Sequence, residues 1–390
     1  MNVPKLRFSE FSENYKKIKL KNMTKLITKG TTPRKYTDSG VNFIKVENLL
    51  DNQIKNINSY ISYETHNNEL KRSILKEYDI LFSIAGALGR AAIVTKEELP
   101  ANTNQACSII RLDNLNDYNL YYLMERLHHF DIKSYINKCQ SVGAQPNLSL
   151  EQVGNICINI PNKKEQDRVG RLIELVNKKI ELQTKKIDAL KLFKLSITQN
   201  IFNEKKLNDF QSVTLEKILK PGSKIPVKNT SEYEKMTVKL NFKGLAKLET
   251  KKEMADTRPF YVRNENEIII GKQNYFNGSI AKVTKDFKGC ICSNAIMSFT
   301  TINGVNVDYV LYYLSQKNYI NRRKFLANGT GQKELSEKEF LKFVIKLPST
   351  QIQNNISKKI SCVSNLLLLE NKKLTTLNNL KKGVLQNLFI

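Results

Sequence analysis

The stretch QPNLSLEQVGNICINIPNKKEQ at 145–166 returns 187 positions later as QKELSEKEFLKFVIKLPSTQIQ at 332–353. A chain that repeats itself at this distance folds as two copies of one unit, so the repeat outranks any local reading. It extends upstream, where NTNQACSIIRLDNLNDYNLYYLM from Asn102 pairs with CSNAIMSFTTINGVNVDYVLYYLS from Cys292, setting Tyr121 and Tyr122 on Tyr312 and Tyr313. Earlier still, YKKIKL from Tyr15 pairs with FQSVTL from Phe210. The offset drifts along the chain, as loops of unequal length between equal elements would cause.

Downstream the repeat becomes helical. Val169, Ile173, Val176, Ile180, Ile187, Leu190, Ile197 and Ile201 alternate steps of four and three once Gln183 and Lys194 are admitted as polar members. That is a heptad seam. Ile356, Ile360, Val363, Leu367, Leu374, Leu377, Val384 and Leu388 repeat it, with Glu370 and Lys381 in the two polar places. Pro161-Asn162 with Glu165, and Pro348-Ser349-Thr350 with Gln353, predict capped starts. Each helix then runs about 40 residues, or about 60 Å. The plainer alternative, two core helices packed on separate domains, suits shorter helices better. A parallel pairing would set Lys194 against Lys381, whereas an antiparallel one can set Lys194 near Glu370 and Gln183 near Lys381. An antiparallel coiled coil is therefore expected.

The remaining segments are mixed. VNFIKV, YDILFSIAG and CSIIRL in the first, and NEIIIG, SIAKVT and AIMSFTT in the second, predict short strands. LYYLMERLHHFDIKSYI and VLYYLSQKNYINRRKFL predict helices after them. The expected fold class is α+β: two similar globules at 1–160 and 207–347, joined by long helices at 161–206 and 348–390, with pseudo-two-fold internal symmetry.

Lys plus Arg number 63 against 37 acidic residues, a formal charge of +26. The excess is spread over all four segments, so no basic tail accounts for it. It points to a polyanionic partner such as nucleic acid. A Lys-rich, AT-biased coding sequence is the competing explanation. The charged N-terminus does not read as a signal peptide and the longest aliphatic run, Leu366–Leu369, cannot span a bilayer, so a cytoplasmic protein without membrane contact is expected. Six scattered Cys and three His suggest neither a disulfide frame nor a metal site, and the cysteines read as small buried hydrophobes.

No enzyme motif is present. GALGRA at 86–91 and GTGQ at 329–332 are glycine turns without a phosphate-loop pattern. The chain lacks the Pro-Pro of an adenine-methylating segment, and His128-His129 reads as a partly exposed helical doublet. Binding is what is left. Base reading needs forked donors and acceptors on loops or helix ends. The first globule offers Lys29, Thr31, Thr32, Arg34, Lys35 and Tyr36 around a Gly30–Pro33 turn, with Arg90, Gln145 and Asn147. The second offers Lys220, Lys224 and Lys228, then Lys272, Gln273, Asn274 and Tyr275, then Arg322, Arg323 and Lys324, and finally Gln332 and Lys333. Singly, each is better explained by a solvated loop; as a set on corresponding loops of two basic domains, they point to DNA contact.

The order globule, helix, globule, helix, with GAQPNLSLEQVGNICINIPNKKEQ closing the first globule, resembles the DNA specificity subunit of type I restriction-modification systems. GTTP at 30–33, ILKEYDILFSIAGALGRAAIV and the following NQA also fit that family's pattern. The resemblance implies two target recognition domains, each reading half of a split DNA site, on a subunit with no catalytic group or cofactor of its own. It further implies partners: double-stranded DNA, two methyltransferase (modification) subunits that carry S-adenosylmethionine, and two restriction subunits that use ATP and Mg. Departures lie in the second half, where Ile352 replaces the usual Glu and PGSKIPV stands for the Gly-Thr-Pro loop. A DNA-recognition subunit serving a type IIG-like fused methyltransferase-nuclease would read the same, and a coiled-coil interaction protein with incidental charge is the third alternative.

Overall fold

The computed structural model describes residues 3–139, 147–248, 258–327 and 334–389. It divides into two units, Met1–Lys185 with Asn371–Ile390, and Lys186–Glu370, so each takes part of both long helices.

In the first unit, β1 (Lys16–Lys19) and β2 (Thr24–Lys29) precede β3 (Val41–Ile44), β4 (Ile80–Ser83), β5 (Ala91–Ile93), β6 (Ala101–Thr103) and β7 (Cys107–Leu112). The short helices α1 (Leu120–Leu127), α2 (Phe130–Cys139) and α3 (Leu150–Gly154), the strand β8 (Cys157–Ile160) and the long helix α4 (Lys163–Ile201) follow. The central sheet has the order β2-β7-β4-β5, all antiparallel, while β1 pairs with β8. Alternate residues Ile80, Phe82 and Ile110 face a core shared with Tyr122, Leu123 and Leu127 of α1. β3 pairs in parallel with β6 in a separate small sheet, its other edge pairing antiparallel with Tyr60–Ile61.

The second unit contains β9 (Gln211–Thr214), β10 (Leu219–Pro221), β11 (Phe260–Val262), β12 (Ile268–Gly271), β13 (Ile280–Lys282), β14 (Ile291–Ser293) and β15 (Ile296–Thr301). Then come α5 (Val307–Leu314), α6 (Lys317–Asn321), α7 (Glu337–Leu341), β16 (Val344–Leu347) and α8 (Thr350–Leu388). Its sheet order β10-β15-β12-β13 and its β9–β16 pair duplicate the first unit. The peripheral pairs do not: β11 and β14 run antiparallel where β3 and β6 run parallel.

The duplication reaches single hydrogen bonds. Tyr122 Oη donates to Asn159 O (3.0 Å) and Tyr309 Oη to Lys346 O (2.6 Å). Asn119 and Asn306 cap α1 and α5 by accepting from the backbone of Tyr122 and Tyr309. Gln166 Oε1 accepts from Asn119 N (3.0 Å) while its Nε2 donates to Pro161 O (3.0 Å), and Gln353 does the same with Asn306 (2.9 Å) and Pro348 (2.8 Å). Each buried glutamine thus docks the start of a long helix onto the start of a short one. Ser149 with Gln152 and Ser336 with Glu339 form matching capping boxes.

Four expectations are corrected. Tyr122 corresponds to Tyr309, not Tyr313, because the Tyr-Tyr pairs lie one helical turn apart, and a shift of one turn preserves a helix's facing pattern. The polar seam residues do not pair as drawn: Glu370 bonds Lys186 (2.8 Å), about two turns before Lys194, and Lys381 reaches Glu125 on α1 (3.2 Å). Glu165 N is capped by Asn162 (3.0 Å), but the Glu165 carboxylate turns to Arg7 Nε (2.8 Å) and Tyr15 Oη (2.9 Å) instead of closing a capping box. His129 is buried, its Nδ1 2.6 Å from Asp131 Oδ1, and α1 ends beside it. Of the cysteines, Cys107, Cys290 and Cys292 are buried, whereas Cys362 is exposed.

Antiparallel pairing is seen within each unit. Val169, Leu172 and Ile173 share the first core with Val384, Leu385 and Leu388, and Ile201 and Phe202 share the second with Ile356 and Ile360. Ile173, Ile187 and Ile360 are buried; Val176, Ile180, Leu190, Val363, Leu367, Leu374 and Leu377 are partly so.

Candidate nucleic-acid interface

Three segments of the first unit meet at one surface pocket of about 500 Å³. The turn after β4 contributes Ala85 to Ala87 and Arg90, the loop before β7 contributes Asn104 and Ala106, and Asn147 comes from the loop before α3. Backbone bonds fix them: Ile84 N donates to Ala106 O (2.8 Å), Leu148 N to Ile84 O (2.8 Å), and Ser83 Oγ accepts from Arg90 N (2.8 Å). Gly86 and Gly89 take φ of 71° and 77°, which lets the turn close without a Cβ penalty. Val46 and Glu47 complete the lining, and Arg90 and Asn147 are exposed at it.

The Gly30–Pro33 turn lies against the same loop. A Cβ on Gly30 would sit 2.0 Å from Thr103 O, so only glycine lets β2 leave the sheet here. Thr31 N donates to Thr103 O (3.1 Å), and Thr32 Oγ1 bonds the Gln105 side chain. Arg72 Nη2 donates to Thr31 Oγ1 (3.3 Å) and Arg34 N to Glu69 (3.1 Å). Lys29, Thr32, Arg34 and Lys35 are exposed. Tyr36 stands edge-on to Phe43 with the Lys45 ammonium 4.9 Å from its ring centroid. The NQA motif at 104–106 signals Asn104 in the sequence, whereas nothing there marks Glu47 or Arg72.

The second unit rebuilds this frame with other side chains. Lys272 N donates to Ala295 O (3.0 Å) and Leu335 N to Lys272 O (3.0 Å), so Lys272 stands where Ile84 does and Gln273 where Ala85 does. Glu334, in the place of Asn147, accepts from Gln273 Nε2 (3.0 Å). Gly222 N bonds Ser298 O (2.8 Å) in the loop after β10, beneath which buried Arg263 donates to Ser223 O (3.0 Å) and lies 3.8 Å from Glu267. Lys220, Lys224, Lys228, Arg322 and Lys324 are exposed, with Lys224 paired to Glu337 (2.6 Å).

One expected contact residue, Tyr275, belongs to the core, and a second, the half-buried Arg323, is held by its own fold contacts. Tyr275 is 0% exposed, its hydroxyl donating to Leu314 O (3.0 Å) and its ring packed edge-on to Phe340, so it cannot reach a ligand. Its neighbour Asn274 is partly buried and accepts from Asn277 (3.2 Å). Arg323 lies 3.6 Å over the Tyr319 ring and donates to Tyr319 O (3.1 Å), which commits its guanidinium to the fold. Gln145, Gln332 and Lys333 fall outside the described residues.

Among the described residues there is no group of three His, Cys, Asp or Glu that could hold a metal ion, and no helix long and apolar enough to cross a membrane.

A profile of the type I restriction modification DNA specificity domain matches residues 12–192 and again 202–379. The putative type I restriction enzyme MjaX specificity subunit of Methanocaldococcus jannaschii is 25% identical over 430 aligned positions, covering 98% of this chain and 95% of that protein. The MjaVIII specificity subunit of the same organism is 32% identical over 126 residues, 32% of this chain. Among solved structures, the S subunit of a type I restriction-modification system from M. genitalium superposes with a TM-score of 0.66 at 16% identity, covering 100% of this chain and 99% of that one.

Proposed function

Because the chain belongs to the type I restriction modification DNA specificity family, we propose that it is the DNA-reading subunit of such a complex, each head reading one half of an asymmetric bipartite site. One observation carries this reading: the two heads share a backbone frame down to single hydrogen bonds, while the side chains set on it differ, Ala85 against Gln273 and Asn147 against Glu334. Equal frames with unequal rims suit two unequal half-sites. Exposed Lys and Arg around the rims anchor phosphates, and the forked side chains read bases. The subunit supplies no catalytic group. Two methyltransferase subunits add methyl groups to adenine N6 with their own S-adenosylmethionine, two restriction subunits join with ATP and Mg, and the complex works in the cytoplasm.

The test is to coexpress the chain with its methyltransferase partner and map methylated adenines across a genome. A split, non-palindromic motif is expected. Asn147→Ala should relax only the first half-site and Gln273→Ala only the second. Loss of both halves in either variant, or methylation indifferent to this subunit, would refute the reading.

A further inference from the structure

The internal symmetry breaks at one lysine. Lys194 and Lys381 occupy the same place in the two seams. In the first unit Lys381 meets Glu125, a buried carboxylate on α1 that also accepts from Asn52 (3.2 Å) and Asn177 (3.5 Å). Glu125 is six residues after the cap Asn119, and the same step from Asn306 leads to Tyr312. The second unit therefore has no carboxylate there. Lys194 forms no ion pair among the described residues, and burial pulls its pKa down. A desolvated ammonium without a counter-charge is costly unless something else supplies one.

Lys194 opens onto a pocket of about 940 Å³ lying within the second unit. Lys191 and Lys194 of α4 line it with Phe202 just beyond that helix, together with Gln316, Tyr319 and Phe242. Phe242 is held unusually. It and Asn241 both have φ of 57°, a left-handed conformation rare for a bulky residue, fixed by Asn241 N to Asn277 O (2.8 Å) and Phe242 N to Gly278 O (2.9 Å). Such backbone outliers concentrate where ligands bind. The volume is that of a site for a whole small molecule, and one missing carboxylate would leave most of it empty.

We propose that this pocket binds a nucleoside monophosphate, its phosphate at Lys194 and its base against the exposed ring of Phe242, while Lys191 stays paired with Asp188 (2.8 Å). The phosphate replaces the charge that Glu125 supplies in the other half. The base uses the Phe242 ring, 37% exposed, since an aromatic face stacks any planar heterocycle. The same chemistry is presented by a free nucleotide and by the phosphorylated end of a nucleic-acid strand.

The test is calorimetric titration of the full-length chain with AMP, with a 5′-phosphorylated oligo-dA, and with inorganic phosphate. Saturable AMP binding is expected. Lys194→Met should weaken it about tenfold, the loss of one charge-assisted contact, and Phe242→Asn, which tolerates the same backbone, should weaken it too. Lys358→Met, an exposed charge-matched control, should not. Tighter binding of the oligonucleotide than of AMP, lost in Lys194→Met, would identify a strand end as the source. No saturation with either nucleotide, inorganic phosphate binding as well as AMP, or equal effects of Lys194→Met and Lys358→Met would overturn the proposal. Methylation mapping is an independent readout, so failure here leaves the DNA-reading assignment standing.

Discussion

Lys381 and Lys194 make opposite predictions although they share a place in the repeat. Glu125 is 5% exposed and Lys381 a quarter exposed, so Lys381→Met strands a buried carboxylate. Urea denaturation should show a loss of about 2 kcal/mol, below the range for a fully buried pair. Lys194→Met removes an unpaired desolvated charge and should be neutral or stabilising in the same assay. A clear loss there would mean Lys194 holds the fold. Asp131 gives a pH signature. Burial pushes its carboxyl up, but hydrogen bonds from His129 and Arg126 outweigh that and hold it at about 2, against 3.8 unperturbed. A depressed carboxyl stabilises above its unfolded pKa and loses that contribution as pH falls through the folded one. Stability should therefore decline between pH 4 and 2, and Asp131→Asn should flatten that limb while lowering the neutral plateau.

At the scale of elements, the repeated segments were legible because strands and helices keep their hydrophobic period. The strands at 80–83, 107–112, 268–271 and 296–301 all fall inside the predicted runs. What misled was translation along a helix. LYYLM and LYYLS look alike, yet Asn119 and Asn306, not the tyrosines, mark equivalent turns. The seam's polar pairs went wrong for a related reason: heptad periodicity defines a face, not which carboxylate a flexible lysine will find, and Lys381 found one on a neighbouring helix. At the candidate interface, the glycine turns and NQA were visible as motifs, whereas Tyr275 looked like a reader because composition cannot say which way a loop tyrosine points. The helices themselves carry a prediction. In the first unit 177–183 of α4 and 374–380 of α8 lie at facing heights, given an antiparallel pairing in which Ile173 and Val384 share one core. Deleting both heptads removes about 10 Å from each long helix. Mapping of methylated sites should show a gap about 3 base pairs shorter, with the same bases read on either side. Altered bases would mean the helices do more than space the heads.

Across the whole molecule, the excess charge of +26 and the duplicated frame give two basic heads, but the copies are not fastened alike. The first turn of one long helix carries Glu165, clasped by Arg7 and Tyr15; the first turn of the other carries Ile352 in that place, with Phe210 where Tyr15 would be. Both the carboxylate and the hydroxyl that bonds it have apolar counterparts, so the second copy leaves no buried charge orphaned there, and Ile352 is exposed. The vulnerability is therefore one-sided. A protease nick in the exposed stretch at 12–14 would free the Arg7 guanidinium while leaving its carboxylate sealed inside, so a single early cut would slacken the hold on one long helix and spare the other.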